Sequence, residues 1–277
     1  MTVAVNVTVT ASVTHSWLPE GPAAVRGTVV VLPGRGEHGG VYERFGRRLA
    51  YDAYAVHAVG AGDTGDSVGV GVGVGVGASV GAGAAALAET VAGLAAVAPG
   101  PVVLVGSDTG ALNALSLALS GTVAIGGLIL VGVPGRVQFA GPGDWQAELE
   151  ARTACPTHRA RLDADHDFVR GALSEPVSAQ LSAVLDDPAL DSLAIPALLL
   201  HGIDDQLAPA SEASALADRL PGAELVLART PSHDVLNDAI HRTVAAHVVQ
   251  WLERLRGEGP ARSLLAVRPA TEPAAAR

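Results

Sequence analysis

The stretch PVVLVGSDTGALNALSLA, residues 101–118, constrains the chain more than any other. Residues 102–105 are an apolar run rich in valine, which predicts a buried strand. Residues 111–119 set Leu112, Leu115, Leu117 and Leu119 among alanines, which predicts a buried helix. Only Gly106-Ser107-Asp108-Thr109-Gly110 joins the two. So short a join requires a sharp bend. The apex residue then takes strained backbone angles, and the residues two away on either side must be small. Gly106 and Gly110 fill those places, which puts Asp108 at the tip.

The rest of the chain supplies similar units. Residues 1–17 carry Val3, Val5, Val7, Val9 and Val13, a period of two that predicts one or two antiparallel strands. Residues 27–32 read as a buried strand, 33–40 as a glycine-rich loop, 41–51 as a helix with Phe45 and Leu49 on one face, and 54–59 as the next strand. That order implies a βαβ crossover and a parallel sheet. Residues 60–83 are of low complexity, with strict Val-Gly alternation over 68–77, and read as an excursion between strand and helix. A helix is expected at 84–98 and a strand at 125–133. Over 136–192 charged residues and histidines replace the strand pattern, and short helices are expected at 145–152, 158–172 and 176–185. Strand, helix and strand resume at 195–201, 211–220 and 223–228, and a last helix is expected over 236–255. The resulting organisation is a core of residues 1–135 and 193–256, a helical cap at 136–192 and a flexible tail at 257–277.

Composition narrows the function. The formal charge is −10, with 18 arginines and no lysine, so neither nucleic acid nor an anionic membrane surface is an expected partner. A small-molecule substrate is expected instead, with the chain a monomer or homodimer. The single cysteine, Cys155, cannot form an internal disulfide, which fits a cytoplasmic setting. Residues 68–88 are 21 positions without a charge, but their glycine content argues against a membrane span. No metal-ligand spacing, phosphate-binding loop or dinucleotide fingerprint stands out, so no metal or other cofactor is expected.

Three chemically capable positions fall at predicted strand ends, where open parallel sheets place their sites. They are Asp108, the acidic pair Asp204 and Asp205, and His233. An elbow residue, an acid and a histidine in this order are the signature of an α/β-hydrolase. The chain resembles that superfamily, and within it the monoacylglycerol lipase and lysophospholipase-like branch. Leu32-Pro33-Gly34-Arg35-Gly36-Glu37-His38 resembles the branch's H-G-x-G-E-H oxyanion loop. His201-Gly202-Ile203-Asp204-Asp205 resembles its H-G-x-x-D turn, and Ser232-His233-Asp234-Val235-Leu236-Asn237 its histidine turn. The resemblance implies a mostly parallel sheet flanked by helices with a small helical cap. It also implies Asp108 as nucleophile, Asp205 as orienting acid, His233 as base, and the N–H groups of Arg35 and Thr109 as oxyanion hole. Three features depart from the branch: aspartate stands for serine at the elbow, Pro33 replaces a histidine, and residues 60–67 lack most of the usual D-x-R-G-H-G-x-S pattern.

An aspartate changes the chemistry that the site can run. A carboxylate is ionised near neutrality and needs no base to activate it. Attack on an ester carbonyl gives a high-energy anhydride, whereas attack on a saturated carbon gives a stable alkyl ester. Water activated by His233 then cleaves that ester at the Asp108 carbonyl, as is understood for epoxide hydrolases and haloalkane dehalogenases. Epoxide hydrolases hold the substrate oxygen with two cap tyrosines, yet the only tyrosines here, Tyr42, Tyr51 and Tyr54, precede the cap. Dehalogenases place tryptophan beside the nucleophile, where Thr109 stands. Trp145, His158 and His166 in the cap are the candidate substrate-binding residues. The competing expectations are acid–base chemistry by Asp108 and His233 without a covalent ester (a lyase, cyclase or hydrolase), a lipase-like acyl hydrolase using Ser107, and a non-catalytic binding protein.

Overall fold

The computed structural model describes residues 14–21, 24–59, 80–136 and 141–257. The Val-Gly repeat, residues 60–67, most of the N-terminal alternation and the tail beyond residue 257 lie outside the described residues.

The described elements, in order, are β1 (Thr14–Trp17), β2 (Gly27–Leu32), α1 (Glu43–Tyr51), β3 (Tyr54–Val59), α2 (Val80–Val97), β4 (Val102–Ser107), α3 (Thr109–Ser120) and β5 (Ile125–Val131). They continue with α4 (Trp145–Arg152), α5 (Pro156–Ala164), α6 (Ala179–Ser182), β6 (Ala197–Gly202), α7 (Ala210–Arg219), β7 (Glu224–Ala228) and α8 (His241–Arg256). The seven strands form one sheet in the order β1-β3-β2-β4-β5-β6-β7. β1 runs antiparallel to β3 and every other pairing is parallel. β4 is therefore central, and all six of its residues are buried. A strand covered on both faces needs an unbroken apolar run, which is why this stretch stood out in the sequence. β7, at the edge, is only half-buried.

Side chains alternate across the sheet and divide the core in two. Val29, Val31, Val103, Val105, Ile129 and Leu198 face α1 and α8, against Phe45, Leu49, Val248 and Trp251. Val30, Leu32, Val102, Leu104, Leu128 and Leu199 face α2, α3 and α7, against Leu87, Leu112, Leu115 and Leu216. With few aromatics to fill space, close approach matters. A Cβ at Gly46 of α1 would lie 2.1 Å from the Trp17 ring, so glycine there lets β1 pack on the helix.

Helix boundaries move where side chains compete for backbone. The predicted helix over 158–172 begins at Pro156, a residue suited to the first helical turn, and ends at Ala164. Beyond it the Asp165 carboxylate accepts from Asp167 N–H at 3.0 Å, which closes a turn. The final helix starts at His241 and not near residue 236. Asp234 accepts from both the backbone and the side-chain N–H groups of Asn237 and folds that stretch into a loop.

Trp251 is fully buried and its ring sits 2.8 Å from where a Cβ on Gly127 would stand. Trp251→Ala is expected to cost about 3–5 kcal/mol of folding stability. Urea unfolding followed by far-UV circular dichroism would read this as a lower midpoint at unchanged slope.

Candidate active site

Asp108 sits at the bend between β4 and α3 with φ 49° and ψ −122°. It is one of two non-glycine residues with positive φ among those described, the other being Ala53. Such a conformation costs of order 1–3 kcal/mol and persists only where its surroundings enforce it. The enforcement is visible at the flanking glycines. A Cβ on Gly106 would lie 2.3 Å from the Gly110 carbonyl oxygen, and one on Gly110 would lie 2.0 Å from the Leu32 carbonyl oxygen. The bend is also tied down by Asp108 N–H, which donates to the Val131 carbonyl at 2.9 Å.

The bend delivers a buried carboxylate, 1% exposed, into a ring of donors. Its Oδ2 accepts from Arg35 N–H at 2.9 Å and from Arg35 Nε at 2.9 Å. Its Oδ1 accepts from Arg35 Nη2 at 2.9 Å, and His233 Nε2 stands 3.4 Å away. Arg35 Nη1 donates to the Glu175 carbonyl at 2.7 Å, which fixes the guanidinium from the far side. His233 Nδ1 donates to Asp205 Oδ2 at 2.7 Å. The other Asp205 oxygen accepts from the N–H groups of Leu207 and Ala208 at 2.8 and 3.2 Å. The acidic pair thereby separates: Asp205 meets the imidazole, while Asp204 uses its carbonyl to accept from Gln206. The structure thus brings Asp108, His233, Asp205 and Arg35 together. Thr109 is buried beside them at the first turn of α3, and its hydroxyl oxygen has no partner among the described residues.

Charge follows from this geometry. Burial favours the neutral acid at Asp108, but the Arg35 guanidinium and His233 outweigh it and hold the carboxyl far below the usual range. Burial likewise opposes a charged His233, yet Asp205 and Asp108 push it up to about 10. At neutral pH the site therefore contains two carboxylates, an imidazolium and a guanidinium.

Several anchoring residues are invisible to motif reading. The arginine side chain of the oxyanion-like loop is one, since the resemblance assigns only its N–H. Arg152 is another. It is 1% exposed, pairs with Glu148 at 2.7 Å and Glu37 at 3.3 Å, and donates to the Arg35 carbonyl at 2.8 Å. The loop bearing His233 is held by α4, because His233 N–H and Asp234 N–H donate to the Ala151 and Arg152 carbonyls at 3.0 and 2.9 Å. Asp238 completes the anchor, accepting from Ala154 N–H and the Thr153, Thr230 and Ser232 hydroxyls. The i, i+4 pair Glu148 and Arg152 on α4 was the available sequence signal.

The three residues expected in substrate binding have these surroundings. Trp145 donates from Nε1 to Asp163 at 2.8 Å and packs on Phe168. His158 is buried 3.5 Å from Asp234, and His166 is exposed. Ser107 is buried against the Tyr42 hydroxyl. No group of metal-ligating side chains occurs among the described residues, and no helix among them is long and apolar enough to cross a membrane.

His233 gives a stability signature with a definite sign. Its folded-state value of about 10 lies above its ordinary 6.5, so the native protein holds a proton that the unfolded chain releases. That contribution is complete below pH 6.5 and disappears as pH rises through 10. Stability should fall across this window by at most one proton's slope, about 1.4 kcal/mol per pH unit. Denaturant titrations at several pH values should show a shallower fall in His233→Gln than in the wild type.

Comparison with known proteins agrees with this architecture. The family model for serine aminopeptidase, S33, matches residues 23–240, and the chain belongs to that family. No curated protein sequence matches the chain. Among solved structures, a monoglyceride lipase from Saccharomyces cerevisiae is 19% identical, with a TM-score of 0.68 over 87% of this chain and 91% of that one. A monoacylglycerol lipase from Paleococcus ferrophilus is 17% identical, with a TM-score of 0.66 over 86% and 97%. An esterase from Rhodococcus is 20% identical, with a TM-score of 0.63 over 88% and 98%. At these identities the likeness is one of fold, the α/β-hydrolase fold.

Proposed function

We propose that this member of the family is a hydrolase of small organic electrophiles in which Asp108 attacks a saturated carbon. The product is an alkyl ester on Asp108, which His233-activated water then cleaves. The observation that carries this reading is the seating of Asp108. Oδ2 occupies the N–H of Arg35, where an oxyanion would be stabilised, and Oδ1 faces the imidazole. A serine hydroxyl at the same bend would be too short to do both. When water adds to the ester carbonyl, the negative charge develops on Oδ2, already within reach of two Arg35 donors. Asp205 keeps the imidazole oriented with Nε2 toward the reacting centre.

An acyl hydrolase using Ser107 is less well supported, since that residue is buried against Tyr42. A second reading rests on a separate observation. In the resting site Arg35 binds both Asp108 oxygens, and His233 approaches one of them. A carboxylate so fully engaged also suits acid–base catalysis without an ester. The helical segment 136–192 is proposed as the cap that closes over the substrate, because Glu175 and α4 reach the loops carrying Arg35 and His233.

Single turnover in water enriched in heavy oxygen separates the two. The covalent route puts label into the peptide containing Asp108, whereas the acid–base route leaves that peptide unlabelled and the label only in product. Asp108→Asn should reduce turnover by at least about 1,000-fold, as loss of a group that forms the covalent bond does.

A further inference from the structure

The imidazole of His233 is only as well placed as the carboxylate behind it. Asp205 Oδ2 accepts from His233 Nδ1 at 2.7 Å. Rotation of that carboxylate is resisted at its other oxygen, Oδ1, which accepts from the N–H groups of Leu207 and Ala208 at 2.8 and 3.2 Å. Those two donors stay in place only while the turn over residues 205–208 keeps its shape. Ala208 ends that turn and is fully buried. Its carbonyl needs a donor there, since a buried acceptor left unmet is costly. The next residue, Pro209, has no N–H to give. The donor comes instead from the end of β6, where His201 Nε2 lies 2.5 Å from the Ala208 carbonyl oxygen.

This contact also fixes the ring's proton. A carbonyl oxygen only accepts, so Nε2 of His201 carries the hydrogen. Nδ1 is buried and has no partner among the described residues, so no contact there favours the other tautomer. Burial and the charge of His233 hold His201 below the ordinary histidine range, which keeps the ring neutral at pH 7. The same N–H edge lies 3.6 Å from Asp205 Oδ2. That is too long for a hydrogen bond, but it favours the charged form of the carboxylate.

We propose that His201 is a positioning residue of this site: by donating from Nε2 to the Ala208 carbonyl, it locks the turn that presents Asp205 to His233. The assignment goes beyond the ester reading, because acid–base chemistry without an ester uses the same imidazole. No bond is made or broken at His201, and its effect reaches the reacting atoms through Asp205 alone.

The groups facing His233 show where that effect is felt. Burial opposes a charged His233, and Asp205 and Asp108 overcome it, pushing it up to about 10. Arg35 is paired with Asp108, and on the α4 side Arg152, Glu148 and Glu37 are paired among themselves. Of these supports, Asp205 is the one that His201 controls. Loosening the turn therefore weakens the hold on the His233 proton, whereas a purely structural role for His201 leaves that hold intact.

The test is nuclear magnetic resonance of the full chain, labelled with heavy nitrogen in its histidine rings. The His233 signals are assigned by their loss in His233→Gln, and those of His201 by through-space contact with Ala208. In the wild type at pH 7, His201 is expected to be neutral with its proton on Nε2. His201→Leu removes the donor, whereas His201→Gln puts an amide N–H near the place of Nε2. In His201→Leu the proton affinity of His233 is expected to drop about tenfold or more, and the low-field resonance of its Nδ1 proton to move upfield or exchange away. His201→Gln is expected to keep both close to wild type. An unchanged His233 titration in folded His201→Leu overturns the proposal, whatever happens to its urea midpoint, and so do equal shifts in the two variants. A charged His201, or one with its proton on Nδ1, overturns it from wild-type protein alone, so the matter is decided even if neither variant folds. None of these readouts uses a substrate, so failure here is distinct from failure of the ester reading in the heavy-oxygen experiment.

Discussion

The structure depends on a carboxylate kept charged where water does not reach it. A lone buried charge is unstable, and a buried pair survives only when geometry and further hydrogen bonds are good. Asp108 meets both conditions through one neighbour. Arg35 supplies three donors to it, two from the guanidinium and one from the backbone, and is itself braced by the Glu175 carbonyl. Removing either partner would strand the other, so the loop after β2 and the bend after β4 are energetically one unit. The strained backbone at Asp108 belongs to the same account. Strain of this kind is maintained by what surrounds it, here the bare faces of Gly106 and Gly110 against backbone and the ion pair beyond.

A second layer keeps that unit in place. Arg152 of α4 joins Glu37, Glu148 and the Arg35 carbonyl, and the end of the same helix accepts two N–H groups from the loop carrying His233. One short helix thus touches both sides of the site. The distance between Asp108 and His233 depends on three loops, and α4 is the element that two of them share. A helix inserted after β5 therefore does more than cover the sheet. It ties the loop that carries Arg35 to the loop that carries His233.

Much of this was legible in the sequence, for identifiable reasons. Buried parallel strands need continuous apolar runs, so β2, β4 and β6 announce themselves. A strand-to-helix bend needs glycine on either side of its tip, so Asp108 could be placed to the residue. The α4 helix was also readable, because Asp144 caps it by accepting from Ala147 N–H. What stayed hidden shares a different cause. Nothing in the spacing of Arg35 says where a long side chain will reach, and its contact with Asp108 spans 73 positions. The hydrophobic pattern sets the start of α8 too early because Asp234 and Asn237 form a local side-chain bond that such a pattern does not register. Pattern reading reports which face of an element is dry. It does not report which polar groups meet there.

The division of the site into charges also bears on why aspartate and arginine occur together. A serine at the bend would leave the guanidinium of Arg35 without its paired carboxylate in a half-closed pocket, its side chain 16% exposed. An aspartate without Arg35 would face His233 alone and share its single positive charge with Asp205. With both present the four charged groups sum to zero, and each carboxylate has a cation of its own. A reaction through this site has to preserve that balance at every step, because a surplus charge in a buried cluster is not screened by water. The charge balance of the resting site is thus a constraint on chemistry as well as on folding.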